Sequence, residues 1–600
     1  MYAVSDRYKR SFASPLREKS AFQMRLYELD AAAQYGLSLS ATSPLQSGAQ
    51  MLSIKQLPVT RRRATLEKQH MRADGQYQLE PSAHFIGGAL SDGEADADGL
   101  YPYSPEEIVT LNASATSILR IQLERCVAEV VITLPDGSTK TVQYSNGSAD
   151  HQLVIRDLPA GDTLLAFKRS FAPLHRVRIY EVLAGTATDW DGTGILSVET
   201  EDENDLLCLE LPGRQISVAL DNLNGWCDPI AELQSPRFHR NGTQAFLTYL
   251  YDGEAVPLGR LFLDTYTVDR EKVLFRFGSG LQPLSDYIHT ASFVGEGWTA
   301  KERLQEVLER DPGTIVGTIR DAVSNPAQIY MVSASIADSP QNDILIGNPL
   351  PLVSEAACLQ LVCNAAGLLI RPAHEGQDLQ ILPAPNTVVR TISYDELFSV
   401  EYKDNGAVTG AEISCTDLAD YASEEVSKGV LASTEFKQHI QLRDPVDSSA
   451  SWLRRLQDSS GNDIGAIYYG AQGYALYVWI ELDVAGSYQA DTGSISLNAY
   501  RLQESTVPMG SGDRKRLSNP LVRMGQAEAY WQRQSAVLRR RCSVVIRHRG
   551  FPELDCGDLV QVQLAAGGEY HQGHIVKNQF SYSGGVLSGT TEIRLLQAVG

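Results

Sequence analysis

Alternation of apolar and polar positions with a period of two dominates this 600-residue chain. Successive residues of a strand face opposite sides of a sheet, so such alternation predicts half-buried strands. Ile216–Pro229, ISVALDNLNGWCDP, is a short alternating strand that runs into an Asx-rich turn. From Phe246 the chain reads FLTYLYDGEAVPLGRLFLDTYTVDREKVLFRFGSGLQPLSDY, predicting a strand, a tight turn, a second strand and a long hairpin. The turn at Tyr251-Asp252-Gly253 suits a backbone with positive φ, which a two-residue hairpin loop demands.

The same texture recurs elsewhere. Residues 76–189 carry short strand-like runs at Ile118–Leu123, Ala128–Leu134, Thr139–Tyr144, Gln152–Ile155, Leu164–Lys168 and Val177–Val182. Turn residues at Pro135-Asp136-Gly137 and Leu158–Asp162 separate them, which predicts an inserted antiparallel β-sandwich of jelly-roll type ending at a hinge, Gly185–Gly194. Residues 1–75 and 190–283 flank it, the first beginning with a polar segment of mixed helical character. Residues 284–386 are the one α/β stretch: Thr299-Ala300-Lys301-Glu302 is a capping box. A second helix there runs from Ser354 to Gly367, a good residue to end on. Leu368–Pro372, a turn at His374-Glu375-Gly376, and Leu379–Leu382 follow.

Residues 387–512 return to strands, with Tyr474–Leu482 and Ser494–Tyr500 the strongest, and Gly510–Arg516 reads as a polar linker. In 513–600 a helix over 519–541 is predicted, with Asn519 as cap and Pro520 at its first position. The strands that follow contain the turn Asp555-Cys556-Gly557-Asp558, which would aim Val560 and Val562 into a core.

The order of these signals resembles that of the hub, or tail-tip, proteins of bacteriophage tails and related injection machines. The residues carrying the resemblance are LDN-NG--DP, YDGE and G-LFLD early in the chain, DLQILP after the second helix, and RGFPELDCGDLVQV and YSGGVLSGTTEIRLL at the end. The resemblance covers roughly residues 1–75 and 190–600. It implies a mainly β, multidomain fold with a smaller α/β part, two tube-like β-barrels per subunit and the inserted sandwich. One barrel would combine 1–75 with 190–283, and the other would come from 387–600. It further implies a homotrimer whose six barrels ring a channel, with the distal tail protein and tail tube above and tip, spike or fibre proteins below. The tape measure protein would lie in the lumen, and DNA would pass without specific binding. A virion component made in a bacterial cytoplasm is the setting this implies.

Composition adds limits. Six hundred residues exceed one core and suggest about four domains. A net charge of −21 and a pI near 5.0 argue against wrapping nucleic acid by neutralising phosphates. No apolar run reaches the ~18 residues of a membrane span. MYAVSDRYKRSFASPLREKS lacks an apolar signal-peptide core, so export is not expected. Eight scattered cysteines form no CxxC pair and read as reduced core residues. Three N-x-S/T sequons, at Asn112, Asn146 and Asn241, carry no weight without an export signal.

No catalytic, cofactor-binding or metal-ligating residue is assigned. His571 and His574 could share a metal only if both rings faced one way, and the predicted hairpin opposes that. Asp92–Gly99 spaces its acids like a calcium loop, yet Ala97 stands where glycine is needed and Tyr103 where a bidentate glutamate is needed. Arg61-Arg62-Arg63 reads as a solvated basic edge. No nucleophile elbow, HExxH or P-loop occurs. His84, Tyr101, Tyr103 and Trp190 could stack on sugar rings, with a host glycan as partner of 76–189, or serve as core or interface residues. The competing reading is a carbohydrate-binding or carbohydrate-cleaving protein of host-surface recognition, and it needs a convergent acid pair that the sequence does not show. Finally, Arg539, Arg540, Arg541, Arg547 and Arg549 form a basic cluster, expected at subunit contacts facing the acidic run Glu199–Asp205.

Overall fold

In the computed structural model the described residues are 2–13, 20–28, 37–39, 89–90, most of 109–170, 178–308, 332–428, 437–441, 468–472, 477–481 and 493–596, with scattered positions inside these ranges left out. The chain is mainly β. Its largest sheet has 16 strands. The path begins at Leu397–Asp404 and crosses Cys542–His548, Val586–Leu595 and Tyr570–Ser583. It continues through Ile195–Glu203, Gly213–Asp221, Lys272–Gly278, Glu254–Val268, Gln244–Tyr251 and Ala21–Glu28 to Arg178–Trp190.

The sheet has two halves, one built from the early chain and one from the late chain. The strand Tyr570–Ser583 belongs to both. Its first part pairs with Leu559–Gln563, and its later part pairs with Ile195–Glu203 from Glu203↔Lys577 to Ser197↔Ser583. The partner changes beside a register shift between Ile575 and Lys577 against Val586–Leu595, where the ladder loses one residue of pairing and the strand can bend.

Local chemistry explains the early half. Gln244–Tyr251 buries alternate residues and turns back at Tyr251↔Glu254. The two loop residues, Asp252 at φ 49° and Gly253 at φ 75°, take the left-handed backbone that this hairpin needs. The first helix, Asp6–Ala13, lays Tyr8 and Phe12 on Tyr251, with Phe12 also against Phe551 of the late half. Phe22 likewise meets both Tyr249 and Tyr582. One apolar core therefore runs through the two halves. Full burial of a side chain such as Phe22 contributes about 1.5–3 kcal/mol, so these crossing residues bind the halves strongly.

A second core joins helices Ala300–Leu308, Glu355–Ala366 and Ala527–Leu538 to the small sheet of Ala334–Ile336, Leu379–Pro383 and Leu368–Pro372. The capping box forms as the sequence predicts: Glu302 N–H donates to Thr299 Oγ1 at 3.3 Å and Thr299 N–H to Glu302 Oε2 at 2.7 Å. Ser354 Oγ accepts from the Ala357 amide at 3.2 Å, and Gly367 ends that helix at φ 76°.

Four expectations need correction. Gly185–Gly194 is not a hinge. Arg178–Trp190 is one continuous strand that pairs with Ser117–Leu123 in its earlier part and with Ala21–Glu28 in its later part. Only Asp191–Gly194 turns, closed by the Asp191 side chain. The strand thus crosses the expected boundary at 189, and the 76–189 block shares the large sheet. Gly510–Arg516 is not simply a linker, because Arg514–Ser518 returns as a strand parallel to Gly410–Lys428. The helix expected from Pro520 begins at Ala527. Asn519 is spent elsewhere: its amide donates to Leu361 O and Asn364 Oδ1, and its oxygen accepts from the Leu521 amide. Lastly, Ser494–Tyr500 is part of Gly493–Gly510, which pairs with Gly410–Lys428 as one long ribbon, while Tyr477–Glu481 belongs to a separate three-stranded sheet.

Candidate functional site

The pleat sorts the acidic run that precedes Leu206. In Ile195–Glu203, Val198, Thr200 and Asp202 face inward, while Glu199, Glu201 and Glu203 face outward. Asp202 lies directly across from Arg214 on the next strand. Their contact is a bidentate fork, Nε to Oδ1 at 2.7 Å and Nη2 to Oδ2 at 2.5 Å, which holds planar groups in one geometry.

The late half reaches the same point through the turn Asp555–Asp558. Gly557 at φ 92° lets the chain reverse, and Asp558 Oδ2 accepts from the Asp555 amide at 3.0 Å. Asp555 then meets Arg214 Nη2 at 3.2 Å. The α/β part supplies the third side. Arg371 Nη1 donates to Asp558 at 2.7 Å. His374 places Nε2 3.1 Å from Asp555 and Nδ1 2.5 Å from the Pro257 carbonyl. All six side chains are buried. Three units of the fold, far apart in sequence, therefore meet in one charged joint.

Backbone approach fixes the same contact. A Cβ on Gly259, whose φ is +83°, would sit 2.2 Å from the Ala373 carbonyl oxygen, so only glycine lets the hairpin come this close. Beside it Arg260 forks onto Asp378, whose Oδ2 also accepts from the Ser333 amide and hydroxyl. A second buried group binds the first helix: Arg390 pairs with Glu553 and, at 2.9 Å, with Glu396, and lies over the Phe551 ring.

The electrostatics are those of a fastener. Burial acts to raise the Asp555 carboxyl, but His374 and Arg371 override it and hold Asp555 well below the usual carboxylate range. Burial acts to lower Arg214, and the Asp202 and Asp555 carboxylates override it, raising the guanidinium. Burial pushes the Asp202 carboxyl up against the pull of Arg214. The fork geometry nonetheless is that of an ionised pair, and that is the state we assign. Every carboxylate of the joint faces a cation, so none is free to act as an acid, base or nucleophile. Burial also pushes the thiols of Cys208 and Cys358 up to about 12 and Cys556 well above its ordinary value. Buried protonated thiols are poor nucleophiles. A cleft of about 340 Å³ near the first helix is lined by Lys9, Ala13, Val388–Thr391 and Glu396, and its Arg390 and Glu396 are paired with each other.

The residues singled out from sequence fall elsewhere. His571 is exposed and His574 buried, and a separation of three puts them on opposite faces of their strand. His574 contacts the Pro385 carbonyl and Arg540 instead. Trp190 packs against Trp226 with ring centroids 4.8 Å apart, at the edge of the core, which removes it from the sugar-stacking set. Arg61–Arg63, His84, Tyr101, Tyr103 and 92–99 lie outside the described residues. The acidic run is also used within the chain: Lys577 pairs with Glu201 and Glu203, and Asp205 accepts from the Leu207 and Leu209 amides. Arg541 forks onto Asp404, and Arg540 is half-buried beside His574. Arg540 and Arg541, two of the five arginines of the cluster, thus have partners within the chain. Sequence reasoning missed Asp202, Arg214, Arg371, His374 and Asp555. The one available signal was the alternation that turns Asp202 inward and the Asp-x-Gly-Asp turn.

No protein-family model and no curated protein matches the chain. Among solved structures, the chain is similar to the 43 kDa tail protein of prophage MuSo2 from Shewanella oneidensis, at 11% identity and TM-score 0.34, over 68% of this chain and 95% of that one. It is similar to a tail protein from Neisseria meningitidis MC58, at 10% identity and TM-score 0.37, over 68% and 94%. It is also similar to the E. coli c3393 protein, a component of the type VI secretion system described as resembling T4 bacteriophage tail proteins gp27 and gp5. That match has 6% identity and TM-score 0.31, over 67% of this chain and 74% of that one. At these TM-scores none of the likenesses carries a functional assignment by itself.

Proposed function

We propose that this chain is a structural hub protein at the distal end of a phage tail or a tail-like particle. The observation that carries the reading is the single sheet whose early and late halves join edge to edge along Ile195–Glu203 and Tyr570–Ser583, locked behind that seam by the buried charged joint. Two β units held rigidly side by side in one chain suit a ring subunit. Three copies would offer six similar units to a sixfold tail tube and threefold symmetry to a tip, spike or fibre below. In this reading the role is mechanical and not enzymatic. The ring adapts symmetry, opens or closes a channel, and passes the tape measure protein and DNA. The buried, fully paired charges fit that role because they resist shear without offering a reactive group.

The proposed domain plan follows the halves: 1–75 with 190–283, tied to the 76–189 block by the shared strand Arg178–Trp190, then the α/β part in 284–386, and 387–512 with 513–600. In this reading residues 76–189 would meet a neighbour or a host glycan, and a glycan array would test the latter. Reconstruction of a particle with this chain located tests the function directly. A ring of three copies around an axial hole is expected, and a monomer with a substrate groove would overturn the reading.

A further inference from the structure

The run of strands through the late half stops at Leu397–Asp404. Among the described residues this strand pairs on one side only, with Cys542–His548, from Leu397↔His548 to Asp404↔Cys542. From Phe398 to Lys403 its backbone makes no other hydrogen bond among them. A row of unpaired amides and carbonyls therefore faces away from the sheet, which is the template that a further strand pairs with.

The side chains show that the core is open at this edge. Val400 lies across from Ile546 and Tyr402 across from Val544, and both of those partners are fully buried. Directly opposed residues share a face, so Val400 and Tyr402 stand on the core side of the sheet. Val400 packs on the core, yet Tyr402 is 69% exposed, so the core stops short of it. Phe398, at the bulge between Leu397 and Ser399, is 64% exposed. These are the two most exposed aromatic residues among those described. Strand edges that must stay apart are guarded by charges, lysine above all. Here Lys403 is drawn back across the sheet to Glu592 at 3.0 Å, and Asp404 is held by the Arg541 fork. The guard is turned inward and the aromatic rings are left at the rim.

Position in the sheet selects the occupant. Tyr570–Ser583 joins Ile195–Glu203 on one flank. On the other it leads through Val586–Leu595 and Cys542–His548 to Leu397–Asp404. A ring closes when each copy holds the next through a head-to-tail contact, made by two different surfaces. The seam is used within the chain, so the outer edge is the surface this run of strands offers to the next copy.

We propose that a second copy of this chain docks on Leu397–Asp404, extends the sheet there and covers Phe398 and Tyr402. The identity of the occupant rests on the ring reading. A strand already fixed by its ladder and by two ion pairs loses little freedom on docking, which favours such a contact.

The test uses the full chain in its producing host, with the photo-crosslinking residue p-benzoylphenylalanine in place of exposed Ser399. Products are separated by mass, their peptides are sequenced, and the particle fraction is assayed separately for the chain. An adduct of two chain masses that contains peptides of this chain alone is expected, crosslinked to a segment other than 397–404 of the second copy. Phe398→Glu combined with Tyr402→Glu should cut its yield about tenfold or more, while Tyr402→Phe retains it, as for aromatic anchors at an interface. Both side chains are exposed, so thermal melting of the double variant should be unchanged, which separates lost docking from lost folding. A crosslink to a different protein, a crosslink to the same strand of a second copy, no adduct, or a yield indifferent to the double variant would overturn the proposal. If particles hold three copies of the chain without this adduct, only the docking proposal fails. If the adduct forms but no particle contains the chain, only the tail reading fails.

Discussion

The two halves of the large sheet touch in two places that use charge in opposite ways. Along the seam, Lys577 pairs with Glu201 and Glu203 on the solvent side. Behind it, Asp202, Arg214 and Asp555 meet out of solvent. The three strand acids are consecutive alternates of one run, so the pleat alone decides which becomes fastener and which becomes decoration. A surface pair gains little because water and salt screen it. A buried pair is costly to break, since the remaining partner is stranded as a desolvated charge. The joint therefore fixes how the halves sit, while the seam's strength comes from its backbone ladder and the apolar core.

The largest contrast should come from Arg214→Ala, which strands Asp202 and leaves Asp555 to His374 and Arg371. A loss of about 3–5 kcal/mol in denaturant unfolding is expected, and a loss below that of a surface pair would break the comparison. Gly259→Ala attacks the same contact through the backbone, with its φ of +83° and the Ala373 oxygen 2.2 Å from the new Cβ. A cost of about 2 kcal/mol or more is expected from the left-handed backbone and the clash together, read as a lowered melting temperature. Lys577→Ala should cost at most about 1 kcal/mol, less at high salt.

The smallest effect concerns acid. Arg541 holds Asp404 down at about 2. A depressed carboxyl contributes stability above its ordinary range and loses it as pH falls toward 2. Stability curves of the wild type and Arg541→Ala should therefore separate above about pH 4 and converge near pH 2, as the depressed carboxyl predicts. Parallel curves would show that the fork contributes nothing.

Legibility in the sequence followed distance along the chain. The Asp252-Gly253 hairpin, the Thr299–Glu302 box and the Ser354–Gly367 helix were readable because each is settled by residues within one element. Val560 and Val562 were correctly placed inward by alternation. The joint was not readable. Arg214 and Asp555 are 341 positions apart, and His374 reads as a turn residue until the Pro257 carbonyl and Asp555 are beside it. The helix expected at Pro520 failed for the same reason: distant Asn364 and Leu361 hold the Asn519 side chain, and its oxygen closes only a local turn on the Leu521 amide. Trp190 looked like a sugar platform only while its neighbour Trp226 was unknown.

The central claim is that one chain contributes two rigidly joined β units to a threefold ring. Averaged electron microscopy of a particle with this chain labelled measures that claim most directly. Three copies are predicted, with six β units around an axial hole and each pair linked through the Ile195–Glu203 and Tyr570–Ser583 seam. Six copies per ring, a single copy, or halves separated at that seam would contradict it.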